Sequence, residues 1–423
     1  MEVTSGIPNG WQELSLFELA DKQKARFDDG DWVEARHITD DGIRLIQTGN
    51  IGIGCYVEKD VKKYIFEDSF TSLKCKSLEV GDLLICRLAE PAGRACILPE
   101  IGDKRIITSV DVSIFRPDPA KFDRRYLNQY FSTSDWFESV AESVGGTTHK
   151  RISRSALGRI KLPIPTDRFE QSAIANALGD VDTLWAAQNA LIAKKRAIKQ
   201  GATQELLTGK RRLPGFSGKW EARLLGDHLK FLNNGANPRA ELMSDGKVRY
   251  LHYGDIHSAS NVLLDPKAVA MPFLPEVKAK RLDRLQDGDV VFADASEDLD
   301  GVAKAIELRN VEGLEVVAGM HTIAVRFDKG VLVDGYKAYL QMIPSFREHL
   351  CRLASGTKVY ATNMAHISSA EVMLPGPDEQ IAIAEALNEM DAEIIALEAQ
   401  RAKTAQLKQG MMQALLTGRI RLV

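Results

Sequence analysis

The stretch KQGATQELLTG, Lys199–Gly209, returns as KQGMMQALLTG, Lys408–Gly418, 209 residues further on. The same offset links Glu170-Gln171 with Glu379-Gln380, Ala177-Leu178 with Ala386-Leu387, Asp182 with Asp391 and Trp11 with Trp220. Between these fixed points the sequence aligns with small gaps. Arg44–Ile51 (RLIQTGNI) resembles Arg249–Ile256 (RYLHYGDI), and Val80–Leu84 (VGDLL) resembles Asp287–Val291 (DGDVV). Gly146-Thr147 matches Gly356-Thr357, and Leu162–Pro165 (LPIP) matches Leu374–Pro377 (LPGP). Loops accept insertions, whereas a packed helix cannot take one without rotating its apolar stripe. A drifting offset therefore marks globular domains, and a constant one marks long helices. Solenoid repeats run to roughly 20–50 residues, far below this period. The chain reads as one unit copied twice: a globular domain over 1–166, a long helix over 167–212, a second domain over 213–377 and a second helix over 378–423.

The domains predict an α+β fold. Asp82–Cys86 and Asp289–Ala293 are short apolar runs after Gly-Asp turns, the pattern of buried strands. Val110–Phe115 and Thr322–Phe327 alternate like strands, while Tyr126–Phe137 and Tyr336–Leu350 carry apolar residues three and four apart and predict helices. Pro163, Pro165, Pro375 and Pro377 mark the boundary before each long helix, and Gly209 and Gly418 fit the residue just past a helix end. Each helix is expected to run about 36 residues, or about 55 Å. Ile383, Leu387, Met390, Ile394 and Leu397 follow alternating steps of four and three; the counterparts in the first helix are Ile174, Leu178, Val181, Trp185 and Ile192, with Gln188 interrupting the stripe. This narrow stripe predicts packing on a partner helix. Two such helices lying antiparallel would make a rod; the alternative folds each helix onto its own domain.

The chain has 423 residues, 44% apolar and 27% charged, which supplies two ordinary globular cores. A net charge of −3 does not announce a nucleic-acid partner, though a local basic face could serve one. The five cysteines form no C-x-x-C pair and are expected to be reduced, half-buried thiols, with no metal site. There is no basic leader and no run of 18 apolar residues, so a cytoplasmic protein without a membrane segment is expected.

A search for chemistry finds little. Thr208–Arg211 has Gly-Lys but lacks the following Ser or Thr of a phosphate-binding loop. No G-x-S-x-G, H-E-x-x-H, Asp-Pro-Pro-Tyr or Asn-Pro-Pro-Tyr occurs, and the eight histidines are scattered. His252 and His257 read as surface or packing residues, and Asp294, Glu297, Asp298 and Asp300 read as a solvated loop. Basic runs are more suggestive. His149–Lys161 holds five cations and no acid, Lys194–Leu213 seven cations and one acid, and Lys278–Arg284 four cations and one acid. Such runs can neutralise phosphates. For Lys194–Lys199 a solvated helix face or a protein contact is the simpler reading. For Gly145–Arg151 the glycines allow close backbone approach, and the Thr, His, Lys and Arg side chains can reach phosphate or base edges.

The helix entry E-Q-x-x-I-A-x-x-L-x-x-x-D, followed by Lys-Gln-Gly and Leu-Leu-Thr-Gly-Lys-Arg-Arg-Leu-Pro, resembles the specificity subunits of type I restriction-modification systems. The resemblance covers nearly the whole chain; the second copy departs from it slightly in ending Arg419–Val423, less basic than Lys210-Arg211-Arg212. It implies two target recognition domains, each reading one half of a split, asymmetric sequence in double-stranded DNA. It implies antiparallel helices that fix the spacer and dock two modification (methyltransferase) subunits, with restriction subunits joining the full complex. It also implies a chain with no catalytic residues, metal or cofactor of its own, S-adenosylmethionine being expected on the modification subunit. On that reading the candidate DNA contacts are Thr48, Asn50, Arg87, Arg94, Thr147, His149, Lys150 and Arg151 in the first domain. In the second they are Tyr253, Lys280, Arg281, Lys358, Tyr360 and Asn363. A combined recognition and catalytic enzyme would need a cofactor motif, and none is visible. A coiled-coil scaffold without a DNA role would show no salt-dependent DNA binding.

Overall fold

The structure, a computed structural model, describes residues 7–145, 150–259, 261–299, 301–302, 304–356 and 359–422. It is mixed helix and strand and divides into two compact units, Met1–Gln188 with Gln400–Val423, and Asn189–Ala399. The division falls inside both long helices, Arg168–Leu207 and Pro377–Leu415. The compact units thus cut across the four sequence segments: each holds one globular domain and a piece of each long helix.

In the first unit an antiparallel ribbon, Trp11–Ser15 against Lys161–Pro165, closes the domain where the long helix begins. One four-stranded sheet orders Phe27–Asp29, Val112–Phe115, Leu83–Cys86 and Ala95–Ile97, all antiparallel. The other orders Ile38-Thr39, Tyr64-Ile65, Ile43–Ile46 and Ile106–Thr108, the last two parallel. The second unit repeats the plan. Glu221–Leu224 pairs with Glu371–Leu374, and Val290–Ala293 lies between Thr322–Phe327 and Ala305–Leu308. Val248–Leu251 runs parallel to Glu315–Ala318.

The motifs shared by the copies are structural. In Val-Gly-Asp, Gly81 adopts φ +89 and its counterpart Gly288 φ +85, a left-handed turn that glycine takes without strain. The following aspartate is buried and clamped by two guanidinium bonds. Arg116 donates to Asp82 at 2.7 and 2.5 Å, and Arg326 donates to Asp289 at 2.8 and 2.7 Å. The glutamine of each Glu-Gln pair is also buried. Gln171 accepts from the Asp123 amide and donates to the Lys121 and Pro165 carbonyls, while Gln380 accepts from Val333 and donates to Val331 and Pro375.

The helices begin in their own domain's core. Ile174, Ala175 and Leu178 pack with Trp11, Tyr126 and Leu162, and also with Leu415 and Leu416 from the end of the other helix. Ile383, Ala384 and Leu387 pack with Tyr336, Tyr339 and Phe346, and with Leu206 and Leu207. Both readings of the stripe therefore hold at once: its first turns fold onto the domain, and the partner helix completes the cluster. Further along, Val181 and Met390 are half-buried and Trp185 is 45% exposed, whereas Ile192 and Ile394 are buried. Leu397 is half-buried.

Ion pairs join the helix segments within each unit. In the first, Arg421 forks onto Glu170 and Lys408 reaches Asp182 at 2.5 Å. In the second, Arg212 forks onto Glu379 and Lys199 reaches Asp391. Rising numbers on one segment meet falling numbers on the other, so the segments are antiparallel in both units. Gly209 and Gly418 end the helices at φ +67 and +70, the left-handed stop their positions predict. A methyl group on Gly209 would meet Trp220, and one on Gly418 would meet Trp11 and Pro8.

Two expected helices are each broken in two. Arg124–Tyr130 and Ser134–Ala141 are separated by a turn in which the Thr133 hydroxyl accepts from the Trp136 amide and caps the second helix. In the other copy a 3-10 segment, Lys337–Met342, ends before Pro344 starts Pro344–Leu353. Hydroxyl capping and proline at the first helical position each start a new helix without interrupting the apolar spacing.

Arg421→Ala should leave the buried Glu170 without its counter-ion and loosen the first unit, and Arg212→Ala should loosen the second. Amide exchange read over Ile174–Leu178 and over Ile383–Leu387 should accelerate in one window per variant; acceleration in both windows for either variant contradicts this pairing. A second expectation concerns acid. Burial pushes the Asp123 carboxyl up, but hydrogen bonds from Arg125 and Ser172 outweigh it and hold it at about 2. Its contribution is complete above the ordinary pKa and is lost as pH falls through about 2. Asp123→Ala should cost about 2 kcal/mol at neutral pH, and denaturant titrations should show the difference shrinking as pH falls below about 4.

Candidate nucleic-acid interface

In each domain four chain segments converge at one end of the paired sheets. In the first these are the turn Gln47–Asn50 after Ile43–Ile46, Arg87-Leu88 after Leu83–Cys86, the Ser109–Asp111 turn, and Gly145 with Lys150-Arg151. Bridges Gly145↔Arg151 and Leu88↔Arg151 tie Arg151 to the sheet. In the second they are His252-Tyr253 after Val248–Leu251, Asp294–Ser296 after Val290–Ala293, the Gly319–Thr322 turn, and Ser355 with Tyr360-Ala361. There the bridge Ser355↔Ala361 and the pairs Ala295↔Ala361 and Ser296↔Tyr360 tie this segment to the sheet.

The first face is built of arginines and carboxylates. Arg151 meets Asp111 at 3.0 Å with both side chains partly exposed. Lys150 is exposed, and its carbonyl is held by the Ala89 amide. Arg154 bonds Asp28 at 2.9 Å and the Phe27 carbonyl at 3.0 Å. Arg87 is 3% exposed: it faces Asp29 at 3.2 Å and donates to the Val110 and Ile152 carbonyls. Burial lowers its pKa, opposed by Asp29. Arg94 donates to the Thr48 and Glu90 carbonyls. Arg87 and Arg94 thus brace the loops. Asn50 is also internal, its side chain accepting from the Gln47 amide at 3.0 Å and donating to the Val57 carbonyl at 2.9 Å. Thr48 is half-buried beside it. Of the first-domain candidates, Lys150 and Arg151 present charge outward; Thr147 and His149 lie outside the described residues.

The second face is aromatic. Tyr253 has the His252 ring at 4.5 Å, the His321 ring at 5.5 Å and the His257 ring at 6.0 Å. His321 Nδ1 lies 3.2 Å from Asp294, and His257 Nε2 donates to the Ala295 carbonyl at 2.9 Å. His252 Nδ1 accepts from the Gly254 amide, so neutral His252 carries its proton on Nε2. Burial pushes its pKa down, against the pull of Asp255. His252 and His257 are therefore not independent packing residues but part of one cluster. The missing member was His321, which spacing cannot connect because it arrives on a different strand turn. Tyr360 is half-buried on the loop-closing strand, and Asn363 caps the helix Met364–Ser368 through the His366 amide. Lys280 and Arg281 are exposed, but their segment follows Phe273-Leu274 and leaves at the Val248 end of the neighbouring strand, away from Tyr253. Lys358 lies outside the described residues.

The helical basic run is taken up by ion pairs. Five of the seven cations between Lys194 and Leu213 meet carboxylates: Lys195 with Glu393, Arg196 with Glu398, Lys199 with Asp391, Arg211 with Glu205 and Arg212 with Glu379. Among the described residues no group of three or more His, Cys, Asp or Glu side chains could hold a metal ion, and no helix is long and apolar enough to cross a membrane. The five cysteines are free thiols, and burial pushes the pKa of Cys75 to about 11 and that of Cys96 to about 12.

A family model described as the type I restriction modification DNA specificity domain matches residues 8–195. Two curated relatives come from Methanocaldococcus jannaschii. The type I restriction enzyme MjaVIII specificity subunit is 24% identical over 337 residues, covering 76% of each chain. The putative type I restriction enzyme MjaX specificity subunit is 23% identical over 367 residues, covering 81% of this chain and 79% of the relative. Among solved structures, the S subunit of a type I restriction-modification system from M. genitalium superposes with a TM-score of 0.59 at 14% identity, covering 98% of both chains. A chain from a structure on complex assembly and conformational transition of the type I R-M system gives the same TM-score and identity over 98% of this chain and 100% of that one. These two share the fold.

Arg87 and Arg151 should separate by phenotype. Arg87→Ala should lower the melting temperature, because three acceptors lose their donor. Arg151→Ala should leave melting unchanged and weaken duplex binding, with a shallower dependence of affinity on salt. Thermal melts and binding titrations at two salt concentrations check this; equal melting losses would place Arg151 among the braces.

Proposed function

We propose, for a chain that resembles the specificity subunits of type I restriction-modification systems, that each domain reads one half of a bipartite, asymmetric duplex sequence. Sequence-specific DNA recognition within a type I complex is the function of the chain. The observation that carries the two-half reading is chemical. On topologically equivalent loop ends the first domain offers arginine and carboxylate groups, the second a phenol ringed by imidazoles. Guanidinium groups favour paired acceptors, as on guanine, whereas rings offer faces and single donors or acceptors. Two faces with different donor patterns suit two different half-sites, and a duplicated scaffold repeats the approach to each.

The helices supply the spacing. At 1.5 Å per residue the 40- and 39-residue helices are each about 60 Å long. Half-sites at a set number of base pairs need readers at a set distance, and an uninterrupted helix cannot change length without losing register with its ion-paired partner. Modification subunits would dock along the same helices, two to a chain, and bring the methyltransferase with its S-adenosylmethionine; restriction subunits would complete the assembly. The chain itself would be non-catalytic, its role being to bind, orient and space.

Methylome sequencing of cells carrying the chain with its modification subunit should return one split motif with a constant gap. Removing four residues around Gln188 should change the gap or prevent assembly while the half-site sequences stay the same. Lys150→Ala with Arg151→Ala should relax recognition of one half-site and spare the other. Altered half-site sequences in the helix deletion, or loss of both half-sites in the loop variant, would contradict this arrangement.

A further inference from the structure

The two domains exchange charge at one pair of matched positions. In the first, the Arg87 amide donates to the Asp111 carbonyl at 2.8 Å; in the second, the Asp294 amide donates to the His321 carbonyl at 3.2 Å. The shared backbone bond makes Asp294 the counterpart of Arg87 and His321 the counterpart of Asp111. The basic group stands on the strand end in one copy and on the turn in the other. A guanidinium holds its charge, whereas an imidazole gains or loses a proton in the ordinary pH range.

His321 sits in a backbone conformation that costs energy. Its φ is +57, left-handed, and Asp111 has no positive φ. The side chain is 47% exposed, and the ring stands edge-on to Tyr253 with centroids 5.5 Å apart. Nδ1 lies 3.2 Å from an Asp294 carboxylate oxygen, an acceptor, so Nδ1 carries the proton of the neutral ring. Nε2 makes no hydrogen bond among the described residues. It is the nitrogen whose character changes: it accepts when the ring is neutral and donates when the ring is protonated.

The other ionisable groups of the cluster are committed elsewhere. His252 takes the Gly254 amide on Nδ1 and would lose that bond on protonation. His257 spends Nε2 on the Ala295 carbonyl, and the Lys304 ammonium on the His257 carbonyl, at 2.6 Å, opposes a further positive charge. Asp255 accepts from the His252 amide and from Arg239. Tyr253 supplies a ring face.

Base edges in the major groove differ in the same respect as the two states of Nε2. Guanine N7 and O6, adenine N7 and thymine O4 accept, while cytosine N4 and adenine N6 donate. We propose that His321 Nε2 contacts one base edge of the second half-site and that protonation exchanges the edge it favours, a donor edge when neutral and an acceptor edge when protonated. Asp294 is the positioning residue: it holds Nδ1, so the change falls on Nε2. On the first face Arg151, beside Asp111, offers donors only. This rests on the two-half reading above and adds a proton dependence to the second face.

The chain assembled with its modification subunit would be titrated with duplexes carrying its split motif and each single-base change in the second half-site. Titrations at about pH 5.5 and about pH 8 lie either side of the ordinary imidazole range. At one position the affinity ratio between acceptor-edge and donor-edge bases should change by roughly five- to tenfold between them. His321→Asn accepts the left-handed backbone and can still bond Asp294, but does not titrate. It should melt as the unaltered chain does and abolish the change. Asp294→Asn should keep the change and move its midpoint to lower pH, because the imidazolium loses its neighbouring negative charge. Ratios that stay constant with pH at every position overturn the proposal, as does a change that survives in His321→Asn. Lower melting of His321→Asn with loss of the second half-site at both pH values would make His321 structural and also overturn it. Absence of any split motif would sink the two-half reading and this proposal with it; a split motif with constant ratios sinks this proposal alone.

Discussion

The fold depends on a charge that cannot be left alone. Glu170 and Glu379 begin the two long helices with side chains almost wholly buried, and each is met by an arginine from the end of the opposite repeat. A buried carboxylate without a cation is strongly disfavoured, so neither domain is electrostatically complete from its own repeat. The first unit needs Arg421 and the second needs Arg212. Trp11 against Gly418 and Trp220 against Gly209 follow the same rule, the start of one repeat packing on the end of the other. The copies are therefore interlocked: each compact unit includes the tail of the opposite repeat.

That interlock frees the loop ends. Closing ribbons, the Gly-Asp turn with its arginine clamp and the buried glutamine staple hold both domains in the same way. None of them involves the outer side chains of the converging loops. Those positions can change without unfolding the sheet, and between the two copies they have. Leu88 and Ala295 hold the same bridge to a closing strand, yet the residue across that bridge is Arg151 in one copy and Ala361 in the other. A constant frame with exchangeable ends is what a pair of readers for different sequences requires.

Much of the frame was legible in the sequence, because the copies act as internal controls on each other. Glu170, Gln171 and Asp182, each at the fixed offset of 209 from its counterpart, have buried or paired side chains in both copies. The strands after Gly81 and Gly288 and the stops at Gly209 and Gly418 follow from local backbone rules. The breaks at Thr133 and Pro344 were hidden because apolar spacing runs straight through them. The site was less legible, for a physical reason. An arginine near a loop looks the same in sequence whether it faces outward, as Arg151 does, or donates to carbonyls, as Arg87 does. The Tyr253 cluster needs His321 from a distant turn, and only the parallel pairing of Val248–Leu251 with Glu315–Ala318 brings it close.

The same contrast bears on the helices. A residue retained in both copies because the fold uses it shows its use in the structure, as the glutamate, glutamine and aspartate do. Lys199 with Asp391 and Arg212 with Glu379 lock the two helix segments of one unit, and Lys408 with Asp182 and Arg421 with Glu170 lock those of the other. A residue inserted between two such pairs would turn one of them off its partner. The ion pairs therefore fix the register of the helices, and a helix of fixed register is a helix of fixed length.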